Sequence, residues 1–231
     1  CPRGQQQESQ QPTYGSGDYT KGDYARTFAA TLAYFLWTQR DAVGVMTFDE
    51  GVVDYLPSRY RQGHLRRLML ALEREYAGTS TDLGAPIEQI ARVVTKRSLI
   101  VLVSDLLAPL ESLETQLGFL RSRGHEVVVF RVLDPKELKF DFEDAAVFED
   151  RESGRDLYVD PDAIRKDYLR RFQEHADAVE TICGNLGVEL QVLRTDQALE
   201  LALFDFVSAR LRRGRTVRRQ GMVPGAGKGG A

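Results

Sequence analysis

The sequence predicts an α/β fold, a mostly parallel β-sheet with helices on both faces. Three observations predict it. Ser98–Ser104 (SLIVLVS) and His125–Val132 (HEVVVFRV) are apolar on both sides, as strands covered by helices above and below must be. Stretches with apolar residues at helical spacing alternate with these strand-like runs. Glycine or proline stands where such helices should stop or start: Gly124 and Gly187 beyond helical ends, Pro86 and Pro161 in first turns.

The elements follow in order. Residues 1–17 are rich in Gln, Ser, Gly and Pro, bury too little apolar surface to offset their ordering entropy, and are expected to be disordered. The chain begins with Cys1 rather than Met, which suggests a product incomplete at its front. Tyr24–Gln39 places Ala25, Phe28, Ala29, Leu32, Ala33 and Leu36 on one helical stripe. Val43–Phe48 and Gly51–Leu56 read as two strands joined by the turn Asp49-Glu50-Gly51. Gly63–Tyr76 is helical, and after the loop 77–82 a further helix runs through Val94. The strand Ser98–Ser104 leads to the helix Leu110–Ser122 and the strand His125–Val132. Asp160 as cap and Pro161 at the first position open a long helix closed by Gly187; Val188–Leu193 is a strand and Asp196–Arg213 the last helix. The domain is therefore expected over 18–213, with an acidic insertion at 134–160 and an Arg- and Gly-rich flexible tail at 214–231. Within the insertion, Ala145–Glu149 and Leu157–Asp160 can pair as a hairpin; the run is a solvated surface excursion or, alternatively, an acidic docking surface.

Composition narrows the function classes. A net charge of −3, from 31 basic and 34 acidic residues, gives no global reason to bind nucleic acid or an anionic membrane. No apolar run approaches the roughly 18 residues of a membrane helix. Two cysteines, Cys1 and Cys183, exclude a disulfide scaffold and a Cys-rich zinc site, and a reducing cytoplasm is the expected compartment. The sequence holds no nucleophile-elbow, Walker, zinc-protease or dinucleotide fingerprint. His64, His125 and His175 are scattered and read as structural, and Cys183 as a small buried hydrophobe. The cluster from Arg210 to Arg219 could touch phosphates, but cations are favoured at a helix C-terminus anyway.

In open α/β sheets, ligands sit at the carboxyl ends of the strands. Two oxygen-rich loops belong there: Ser104 and Asp105 directly after a strand, and Thr79–Asp82 before a helix. Thr81 and Asp105 could contribute to a Mg²⁺ site, with Ser104 and Asp82 behind them, although two side chains do not complete one. Helix capping is the plainer reading: Ser80, Thr81 or Asp82 before one helix and Asp105 before the next.

Several ordered motifs resemble the "domain of unknown function 58" family: Tyr19–Arg26, Ala30–Tyr34, Arg40–Asp49, Leu99–Leu106, Arg121–Pro135 with Glu137, Tyr168 on the long helix, and Arg194-Thr195-Asp196. The resemblance covers about Gly15 to Arg213. It implies a von Willebrand factor A-like fold, with Gly51–Leu56 as one antiparallel edge strand. It also implies a metal-ion-dependent adhesion site, in which Thr81 matches the second element and Asp105 the third. The first element, Asp-x-Ser-x-Ser, and the strand leading into it are not matched; Gln10–Tyr14 stand there. Mg²⁺ is therefore expected to bind weakly or not at all. The family implies a non-enzymatic adaptor that partners a MoxR-type AAA+ ATPase in complex assembly or remodelling, through metal-bridged docking. The alternatives are a hydrolase using Asp105 as acid or base, and nucleic-acid binding through the basic tail.

Overall fold

The computed structural model describes residues 20–49, 51–74, 83–140, 165–204 and 206–208, and the backbone alone of 146–150, 155–159 and 161–164. The chain separates into two compact units, residues 1–196 and 197–231. In the second unit, residues 199–204 and 206–208 are helical.

The first unit carries the expected alternation. Helix α1 (Lys21–Thr38) opens on a reciprocal cap, with the Thr20 side chain accepting from the Asp23 amide and the Asp23 carboxylate from the Thr20 amide. Strands β1 (Val43–Phe48) and β2 (Val52–Arg59) form an antiparallel pair. Helices α2 (His64–Leu72) and α3 (Gly84–Val93) precede β3 (Leu99–Ser104). Then come α4 (Leu110–Ser122), β4 (Glu126–Leu133) and the short α5 (Pro135–Lys139). The hairpin expected within the acidic run is present as β5 (Ala146–Asp150) and β6 (Arg155–Val159). Helix α6 (Pro161–Leu186) and strand β7 (Glu189–Arg194) complete the unit. The glycines expected to end two helices, Gly124 and Gly187, have φ of 80° and 63°, a conformation that costs other residues a Cβ clash.

The parallel sheet has the order β3-β4-β7. Alternation along β4 assigns its two faces. Val127 and Val129 enter a core with Leu113, Leu117 and Leu120 of α4, Ile87 and Ala91 of α3, and Val179 and Cys183 of α6. Phe130 points the other way and meets Phe28 of α1, ring centroids 4.4 Å apart and both fully buried. Helices therefore cover both faces. A satellite cluster of Ala33, Val43 and Leu68 ties α1 and α2 to β1.

One feature of the expected architecture differs. Gly51–Leu56 was expected at the antiparallel edge of a single sheet. Among the described residues the β1–β2 pair and the β3-β4-β7 sheet are separate, so β3, with apolar residues on both sides, stands at a sheet edge. Side-chain packing still links the two pieces, since Phe48 of β1 lies against the core that holds Ile100 and Leu102.

The β1–β2 register shifts between Val43 and Val45, at Gly44. A Cβ on Gly44 would lie 2.6 Å from the Ser58 nitrogen and 2.7 Å from the Leu56 carbonyl oxygen. Both neighbours are backbone and cannot swing aside. Gly44→Ala should therefore cost about 1–3 kcal/mol, the usual range for overpacking, read as a lowered urea midpoint.

Candidate functional site at the strand ends

The carboxyl ends of β3 and β4 carry a compact charge cluster. Asp105 follows β3 directly and lies beside Lys21, the first residue of α1, with Nζ 3.3 Å from Oδ2. The same ammonium donates to Glu137 Oε1 at 2.6 Å. A cation in the first turn of a helix opposes the helix dipole. Two carboxylates 84 and 116 residues away in sequence hold Lys21 there. Burial alone would lower its pKa, but the hydrogen bond to Glu137 and the charge of Asp105 outweigh that, and the net shift is upward.

Glu137 is fixed from beneath. It is the third residue of α5, and its other oxygen accepts from the Asp134 amide 3.2 Å away, while Asp134 accepts from the Lys136 amide at 2.8 Å. Thr195, just past β7, donates its hydroxyl to Asp134 at 3.1 Å. All three strands of the parallel sheet thus feed the cluster. Arg131 on β4 is almost fully buried, 2% exposed, on the α6 side. Its Nε donates to the Asp105 carbonyl at 3.2 Å, its guanidinium lies 5.3 Å over the Phe172 ring, and its NH2 sits 3.4 Å from His175 Nδ1.

The turn after β3 is strained. Leu106 has φ +59°, a left-handed conformation that costs a non-glycine residue about 1–3 kcal/mol. Its amide donates to Ser104 Oγ at 3.1 Å, and the Leu107 amide donates to Asp105 Oδ1 at 3.3 Å. The result buries Leu106 and leaves Leu107 54% exposed beside Asp105.

These positions correct some expectations and leave others open. Asp105 does not cap the following helix. The α4 cap position is Pro109, with no side-chain bond, and Asp105 closes its own turn instead. Ser104 acts within the same turn. Thr81 and Asp82 lie outside the described residues. Sequence reasoning missed Lys21, Arg131 and Leu107, and it also missed α5, whose Asp134-Pro135-Lys136-Glu137 start carried a capping signal within the acidic run. Cys183 is buried as expected, and burial pushes its thiol up to about 11, which keeps it an unreactive thiol at neutral pH.

Asp105 and Glu137 are joined by an ammonium, and among the described residues no group of three His, Cys, Asp or Glu side chains could hold a metal. Hard cations need several convergent oxygens.

His175 supplies a pH dependence. Burial, then the charge of Arg131, lower its pKa below the ordinary value. The unfolded chain therefore takes up this proton first, near pH 6.5. The contribution of His175 to stability is complete above that pH and is lost as the pH falls through the lower folded value. Urea midpoints should drop between pH 7 and 5, and His175→Gln should flatten that drop.

The family model described as "Protein of unknown function DUF58" matches residues 6–178. An uncharacterized protein of Mycobacterium bovis is 30% identical over 205 residues, 86% of this chain and 63% of that protein. A counterpart in Mycobacterium tuberculosis matches equally. This chain therefore spans just under two thirds of their length. An uncharacterized protein of Mycobacterium avium is 31% identical over 165 residues, 70% of this chain and 95% of that protein. The crystal structure of conserved hypothetical protein BatB from Bacteroides thetaiotaomicron aligns with a TM-score of 0.48 and 16% identity, over 83% of this chain and 88% of that one. Among the described residues no helix is long and apolar enough to cross a membrane.

Proposed function

Starting from the premise that this chain belongs to the family "Protein of unknown function DUF58", we propose that it is a non-enzymatic protein-interaction module. It docks a partner at the strand-end corner, and that partner is a MoxR-type AAA+ ATPase, with the chain serving as its adaptor in the cytoplasm. The observation that supports docking most is the strained turn at Leu106, which presents an exposed Leu107 next to the Lys21–Asp105–Glu137 cluster. Strain of this kind persists where the surroundings over-determine it, and it concentrates at functional positions. An apolar anchor rimmed by charged groups is the ordinary composition of a binding spot.

The mechanism derives from these groups. Leu107 enters an apolar pocket of the partner, and the partly exposed Asp105 and Lys21 pair with polar groups around it. Lys21 supplies the positive charge at this corner from within the chain, so docking needs no bridging metal. The hydrolase alternative is less well supported, because Asp105 and Glu137, the two carboxylates of this corner, are both ion-paired with the Lys21 ammonium. The test is the affinity of the chain for the purified ATPase. Leu107→Asp changes only an exposed side chain and should weaken binding at least tenfold, about 1.4 kcal/mol.

A further inference from the structure

The far end of α1 carries a second surface that the strand-end corner does not use. Trp37, Tyr60 and His64 form a stack there, with Trp37 and Tyr60 ring centroids 4.5 Å apart and Trp37 and His64 centroids 6.2 Å apart. His64 is locked by a 2.9 Å contact between its Nε2 and the Val43 carbonyl. Tyr34 and Tyr60 stay half-exposed, at 57% and 50%. Five exposed arginines lie on the same segments: Arg40 after α1, Arg59 at the end of β2, Arg61 in the following turn, and Arg66 and Arg67 on α2. Segments 34–43 and 58–70 hold those five arginines, no lysine, and Asp41 as their one carboxylate. None of the five has an ion-pair partner among the described residues. Arg66 and Arg67 also stand in the first turns of α2, where the dipole disfavours cations and no acidic residue offsets them. Helix stability does not explain this placement.

Tyr, Trp and Arg without Lys is the composition of protein interface hot spots. A nucleic acid would meet a chain whose net charge is −3, so the patch suits a partner that is acidic locally. The chain contains such a segment. Residues 141–160 hold eight acidic and two basic residues, around the β5–β6 hairpin. In sequence that segment follows Phe140, whose ring packs on Tyr168 at 4.6 Å, three residues after Glu137, which meets Lys21. The arginine patch is at the opposite end of α1, 18 residues or roughly 27 Å away. We propose that the arginine–tyrosine patch binds the acidic 141–160 segment of a second copy of this chain. Two such reciprocal contacts close a two-fold dimer. The inference is independent of the strand-end corner.

Sedimentation velocity tests it. Wild-type protein should run as a dimer at micromolar concentration near 0.01 M salt and as a monomer near 1 M, as the Debye length shrinks from about 30 Å to about 3 Å. The patch variant Arg59→Glu/Arg61→Glu/Arg66→Glu should be monomeric, and so should the segment variant Glu149→Lys/Asp150→Lys/Asp156→Lys. An equimolar mixture of the two should recover the dimer, because both contacts are then complementary again. That recovery also shows that both variants fold. A monomeric wild type at low salt, a dimer that survives the patch substitutions, or a mixture that stays monomeric overturns the proposal. So does a monomeric wild type that binds labelled oligothymidine through the same arginines, which would assign the patch to nucleic acid.

Discussion

Lys21→Met should destabilise the protein by about 2–3 kcal/mol. Removing one member of a fully buried ion pair costs about 3–5 kcal/mol, because the partner charge is left uncompensated. Lys21, Asp105 and Glu137 keep 16%, 26% and 17% side-chain exposure, so water recovers part of that loss. The substitution leaves two carboxylates facing each other with no cation between them. Combining Lys21→Met with Asp105→Asn should therefore cost less than the sum of the single changes, and Lys21→Arg should restore much of the stability. The pH dependence follows from the raised Lys21 pKa. The stabilisation is complete below about pH 10.4, the ordinary lysine value, and fades as the pH rises through the higher folded value. Denaturation midpoints at pH 7 to 9 should thus differ by a constant amount between wild type and Lys21→Met.

Arg131→Met should cost a similar amount, about 2–4 kcal/mol, for different reasons. The Asp105 carbonyl loses a charged donor, at about 1–3 kcal/mol, and the contact over Phe172 contributes about 0.5–2 kcal/mol. Burial lowers the Arg131 pKa, against the charges of Asp105, Glu137 and Tyr168, but an arginine stays cationic at neutral pH. Methionine fills the same slot without the charge. The His175 pKa should rise in this variant, since the Arg131 charge is the second cause of its depression. An NMR titration of the His175 ring reads that shift.

The elements themselves were legible in the sequence because periodicity and punctuation are local. The run Leu99–Ser104 could be read as a strand from its two-sided apolar character, and the Gly124 and Gly187 helix ends from their chemistry. The hairpin expected from Ala145–Glu149 and Leu157–Asp160 is found as Ala146–Asp150 paired with Arg155–Val159. Lateral order was not legible. No local signal states that β1 and β3 belong to separate hydrogen-bonded ladders.

The site was legible only where it is local. Asp105 could be placed at a strand end, but its partners could not be found by spacing, since the Lys21 contact spans 84 residues. Lys21 and Glu137 lay within the family-like motifs without a role attached. Leu107 carried no signal, because its exposure follows from the backbone conformation of Leu106. Asp105 looked like a cap because Asp before a helix usually is one; here α4 begins five residues later, after Pro109.

The central claim is that this corner binds a protein partner and carries its own cation. The most direct measurement is calorimetric titration of the chain with a purified MoxR-type ATPase, without nucleotide, in Mg²⁺ and again in excess chelator. The account predicts one binding event of equal affinity in both buffers, weakened at least tenfold by Leu107→Asp. No binding, binding indifferent to Leu107→Asp, or binding that vanishes with chelator and returns with Mg²⁺ would contradict it.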